Sequence, residues 1–158
     1  MPVDSKTVQG RRELHFTSLD DLVNDAEKLV SSPTTKTLGN WPLSQLLTHL
    51  ATAMNGSIDG IKFSVPWYVR VFGFFIKSGV LKRGVGPGFS LPKEREAGAF
   101  PAASSPQEAL EMLRQAAGRL KNEPATAVHP VFGKLTPEEW NLLHLRHAEM
   151  HLSFAVPE

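Results

Sequence analysis

The last helical stretch of the chain, Thr136 to Phe154, constrains the fold more than any other segment. Trp140, Leu143, His147, Met150 and Phe154 recur at the heptad-like spacing that turns one side of a helix toward a bundle core. His144, His147 and His151 fall within one narrow sector of the same helix, and His147 and His151 stand one turn apart. A stripe that should hold Leu and Ile therefore holds imidazoles. Burying a polar ring without a partner costs roughly 1–3 kcal/mol, so a run of such rings needs an explanation. A divalent metal gripped by imidazoles at i and i+4 is the simplest one. The competing explanation makes each ring a hydrogen-bonded core residue, and a third ligand from another segment would favour the metal. His49, in the apolar run Leu46-Leu-Thr-His-Leu50, is available for that role.

With 158 residues, 41% of them hydrophobic and 21% charged, the chain is long enough for one domain, residues 1–158, with a real core. A formal charge of +1 and the lack of any basic run or Arg-rich helix set nucleic-acid binding aside. There is no Cys, which excludes disulfides, thiolate ligands, iron–sulfur clusters and a Cys nucleophile. A metal site here must be built from His, with help from carboxylates or water. Met1-Pro-Val-Asp-Ser-Lys6 has no apolar signal core, so a cytoplasmic location is expected.

Four amphipathic helices are readable. The first begins near Thr17-Ser18, carries Asp20 and Asp21 in its opening turn, and ends at Ser31-Ser-Pro33. Its stripe is Leu19, Leu22, Val23, Ala26, Leu29 and Val30. The second is expected to be capped by Asn40, with Pro42 in the first turn, and runs through Leu43, Leu46, Leu47, Leu50 and Met54 toward Ile58. Thr52, Asn55 and Asp59 mark its wetter side. The third opens on Ser105-Pro-Gln-Glu108 and the fourth on Thr136-Pro-Glu-Glu139, two capping boxes with Pro at the first helical position. Ala109, Leu110, Leu113, Ala116, Ala117 and Leu120 supply the apolar face of the third, and Pro124 closes it.

Residues 61 to 104 form a long connection between helices two and three. Val65 to Ile76 is strongly apolar and aromatic, and a short helix packed over one end of the bundle is the expectation. The sharper reading is a membrane-surface anchor, because Trp, Tyr and Phe stand beside Arg70, Lys77, Lys82 and Arg83. The segment is too short and too charged to span a bilayer. Gly84-Val-Gly-Pro-Gly88 and Leu91 to Gly98 read as loop, without the Gly-Lys-Ser/Thr ending of a phosphate loop. The expected fold is thus all-α, a four-helix bundle with a long crossover between helices two and three. Such a bundle lets His49 on helix two meet His147 and His151 on helix four.

Trp41 and His49 in an apolar second helix, paired with His147-x-x-x-His151, resemble the DinB/YfiT-like metalloenzyme superfamily. The segment His129-Pro-Val-Phe-Gly-Lys-Leu-Thr-Pro-Glu-Glu-Trp140 before the His-rich helix resembles a bacterial branch of it. The resemblance covers nearly the whole chain. It implies a four-helix bundle whose metal, zinc, nickel or iron, is held by His49, His147 and His151. It also implies a homodimer and an activity of thiol-transfer or hydrolytic type. Many members carry Gln three residues after the last ligand; Phe154 stands there in this chain, which removes a partner for the site.

Three neutral imidazoles would leave a doubly charged metal with an open position, the pattern of a catalytic rather than a structural site. That position activates water, at a pKa near about 7, or holds an exogenous thiol as thiolate. The expected substrate is a small molecule, with a low-molecular-weight thiol as cosubstrate in the second case. His144 is the candidate catalytic proton carrier, with a hydrogen-bonded structural role as its alternative. Asp59 is too far along its helix from His49 to act as base, Glu149 is expected to be solvated, His129 is a loop residue near the rim, and His15 is a surface residue. Trp41, Trp67 and Trp140 are read as packing, although Trp67 lies in the segment best placed to cover the site. The rival function is a non-catalytic bundle that docks a partner or a membrane surface through its aromatic crossover.

Overall fold

The computed structural model describes residues 2–88 and 105–158. Among them the chain is predominantly helical: α1 spans Leu19–Ser31, α2 Leu43–Asp59, α3 Trp67–Arg83, α4 Pro106–Asn122 and α5 Pro137–Leu152. Strands β1 (Thr35–Thr37) and β2 (Ala155–Pro157) form a two-stranded antiparallel sheet. Leu91 to Gly98, expected as loop, lies outside the described residues.

Capping chemistry sets the helix starts. Ser18 accepts the Asp21 amide while Asp21 reaches back to the Ser18 amide, and Thr136 and Glu139 repeat the arrangement on α5. Ser105 accepts the Glu108 amide at the head of α4. Asn40 does not cap α2, contrary to expectation. That helix starts after Pro42 with no side-chain cap, and the Asn40 amide is spent on both backbone groups of Val3, at 2.6 and 2.8 Å.

The helices bury the faces their periodicity dictates. Leu22, Ala26 and Leu29 of α1, Leu46, Leu47, Leu50 and Met54 of α2, and Leu113, Ala116 and Ala117 of α4 form one core with Trp140, Ala148 and Leu152 of α5. Full burial of each Leu is worth about 1.5–3 kcal/mol over leaving it in water. The most extensive packing joins α2 to α4; α1 packs on α4 and α5, α2 on α5, and α3 on α5.

The small sheet went unread in the sequence, and it sets the register of the site. Thr35 pairs with Pro157 and Thr37 with Ala155, and Leu38 N–H donates to Phe154 O at 2.8 Å. The segment entering α2 is thereby tied to the segment leaving α5, so the last turns of α5 stand beside the first turns of α2. The helix also ends at Leu152, two residues before the Phe154 of the heptad reading. Phe154 turns into the interior with the Arg11 guanidinium 4.2 Å from its ring centre.

The crossover helix α3 runs 17 residues, longer than the apolar stretch implied, to Arg83. It is held close to the rest by Gly73, where a Cβ would stand within 3 Å of the Val131 backbone, and by the Lys77–Glu139 ion pair at 2.9 Å. Gly73→Ala must push the helix off that backbone, at about 1–3 kcal/mol. We expect the melting temperature to fall by roughly 2–4 °C per kcal/mol and amide exchange to rise across residues 67–83. Unchanged values in both would mean that the close approach does not hold α3 in place.

Candidate metal centre

His49 lies on the second turn of α2, and His147 and His151 on successive turns near the end of α5. The strand pairing brings the two helices to the same level, and the three rings converge edge to face, with centroids 4.6 to 4.9 Å apart. His147 Nε2 sits 3.1 Å from His49 Nε2 and 2.9 Å from His151 Nε2. One donor atom from each ring lies within 4.8 Å of the other two. Trp41 stacks on His151 at 5.4 Å and tilts over His49 at 6.1 Å, so one aromatic wall confines both ligands.

These donors fit a small divalent metal. Tetrahedral coordination at 2.0–2.1 Å places nitrogen donors about 3.3 Å apart, which a slight outward motion of the rings would satisfy. The charge state fits as well. Burial pushes His147 and His151 well below the ordinary imidazole range, and the neighbouring histidines push them further, which favours neutral rings that each offer one lone pair. His147 Nε2 faces two other ring nitrogens at hydrogen-bond distance, an arrangement in which either a shared N–H or a cation can stand between the lone pairs. No Asp or Glu joins the cluster among the described residues, so a bound dication would keep its full charge.

A family described as a protein of unknown function, DUF1569, matches residues 8–158. The chain belongs to DUF1569. No curated protein and no solved structure matches it. The match spans all three histidines of this DUF1569 chain together with strands β1 and β2.

The remaining expected residues fall elsewhere. His144 Nε2 is 2.9 Å from Ser57 Oγ and its ring stacks on Trp140 at 5.4 Å. The Ser57 hydroxyl proton is already given to Met54 O, so His144 must donate, which fixes it as the neutral Nε2–H tautomer. That nitrogen is committed to a structural bond, and His144 is not among the three converging ligands. His129 is not a bare surface residue: its Nδ1 accepts the Val131 and Phe132 amides, both at 3.0 Å, and it stacks on Phe132. Asp59 is clamped by Arg119 through both oxygens. Trp67 is 76% exposed and stands against Tyr68 in solvent. A groove of about 410 Å³ runs along α3 past Arg70, Phe74, Phe75 and Phe132, and none of the three histidines lines it.

Glu149 corrects the expectation of a solvated side chain. It is 12% exposed, accepts both bonds of Arg146 at 2.7 and 2.8 Å, and takes the Phe16 amide at 2.6 Å. Arg146, unnoticed in the sequence, donates to Phe16 O and contacts His15 Nδ1. With Arg12 N–H on Ser153 O, these contacts lay residues 11–16 as a strap along the end of α5. The Arg/Glu spacing of i and i+3 was the only sequence signal for it.

Acid should weaken the fold through the two non-ligating rings. Burial holds His129 at about 4 and His144 at about 3, while the unfolded chain titrates near 6.5. Above that value both states are neutral and pH has no effect through these groups. Below it the unfolded state binds protons that the folded state refuses, so stability falls by about 1.4 kcal/mol per pH unit for each ring. Denaturant midpoints of metal-free protein should decline from pH 6.5 downward, less steeply in His144→Gln. Equal slopes would show that His144 already carries its proton in the folded state.

Proposed function

We propose that this chain is a DinB/YfiT-like four-helix bundle that binds one zinc, nickel or iron ion on His49, His147 and His151 and acts on a small molecule by thiol transfer or hydrolysis. What carries the reading is the convergence of three imidazole nitrogens from two helices onto one point. A bound dication supplies Lewis acidity at its open position, activating water or holding the thiol of a cosubstrate as thiolate. The residues do the rest. His49, His147 and His151 would hold the ion, and Trp41, against the His49 and His151 rings, would hold two of them in place. His144, bonded to Ser57 and stacked on Trp140, is a positioning residue for α5.

The test is elemental mass spectrometry on protein purified without a histidine tag, followed by thiol-transfer and esterase assays with and without chelator. About one equivalent of metal, with turnover that chelation abolishes, supports the proposal. Absence of metal, with none taken up on addition, would make the three histidines a polar core and end it.

A further inference from the structure

We propose that α3 is an interfacial element that docks this protein on an anionic lipid surface, independently of the metal centre. The helix leaves its aromatic side unpartnered among the described residues. Trp67, Phe72, Phe74 and Phe75 are each 64 to 76% exposed, and Tyr68 and Val71 are at least half exposed. At 100° per residue, Gly73, Lys77 and Val80 define the side turned to α5 and the core, and the aromatic residues fill the opposite sector. An apolar patch of this kind on a folded domain marks an interaction surface.

Charge selects the occupant. Residues 60–88 contain Lys62, Arg70, Lys77, Lys82 and Arg83 and no Asp or Glu. That stretch carries +5, against −4 for the rest of the chain, a segregation hidden in the net charge of +1. Among the described residues only Lys77 of these is spent on an internal ion pair, with Glu139; Lys62, Arg70, Lys82 and Arg83 are exposed. A second copy packed face to face would set two such cationic stretches against each other, with no carboxylate in residues 60–88 of either. An anionic bilayer offers an apolar interior for the rings and phosphates for the cations. Each exposed cation strengthens such partition by roughly fivefold at low ionic strength. No described helix is long and apolar enough to cross a membrane, so the contact is one that lies in the interface.

The experiment is co-sedimentation of the full chain with vesicles of phosphatidylglycerol and phosphatidylcholine, against vesicles of phosphatidylcholine alone. Pelleting with the anionic vesicles only is expected. The double variants Phe74→Ser/Phe75→Ser and Lys82→Glu/Arg83→Glu should each weaken it by about tenfold or more while keeping the parent melting temperature. His147→Ala should bind vesicles as the parent does, which separates this inference from the metal reading. No pelleting with anionic vesicles, or equal pelleting with neutral ones, overturns it. So does a lipid-free dimer in sedimentation velocity that Phe74→Ser/Phe75→Ser dissolves, which would assign the face to a second copy.

Discussion

His147→Ala should abolish stoichiometric metal uptake, because His147 Nε2 is the atom that faces both other donors, at 3.1 and 2.9 Å. Its removal leaves His49 and His151, one from each helix, with no shared neighbour. Loss of a ligand should weaken binding by at least about 100-fold, beyond the 10–100-fold typical of losing an outer partner. The effect should extend to stability. Metal held at 1,000 times its dissociation constant adds about 4 kcal/mol to the folded state, which for a chain of this size is roughly 10 °C of melting temperature. Chelation of the parent and His147→Ala should therefore converge on one melting temperature. His144→Gln should keep its metal, since that ring is bonded to Ser57. Stoichiometric metal in His147→Ala would refute the ligand assignment.

Glu149→Ala should be the most destabilising single change away from the three ligands. Glu149 neutralises Arg146, whose side chain is only 8% exposed, and accepts the Phe16 amide. Truncation leaves a buried guanidinium without its counter-ion and a strap residue without its acceptor. Breaking one side of a buried pair costs about 3–5 kcal/mol, or roughly 10 °C here. The Arg146 Nε already has no partner, so the site has little capacity to adapt. Replacing both members, Arg146→Met with Glu149→Leu, should recover much of the loss, because two apolar side chains leave no orphaned charge. A melting temperature within about 2 °C of the parent for Glu149→Ala would mean that water, not Arg146, solvates the carboxylate in solution.

Much of this chain is legible before folding. The apolar face of α4 was read residue for residue from periodicity, since Ala109, Leu110, Leu113, Ala116, Ala117 and Leu120 are its buried positions. The heads of α1 and α5 follow from local capping chemistry that needs no distant partner. The three histidines stood out because imidazoles on an apolar stripe conflict with the cost of burial, and that conflict is visible in a single segment. Asn40 was misread for the opposite reason. Its amide had one local role on offer, capping α2, and the distant Val3 backbone won.

Local pattern could not state which histidine meets which. His144 and His151 lie in one sector of one helix, yet Ser57 takes the first and the metal-competent cluster takes the second. The difference is set by how far α5 slides along α2, and that slide is fixed by three-residue strands too short to carry a sequence signal. The fate of Glu149 likewise depends on a strap more than 130 residues away. Sequence alone determined four of the helices to within a turn, their buried faces and the three histidines that converge. Tertiary structure decided their register, because long-range backbone pairing and buried charge depend on partners that periodicity does not encode.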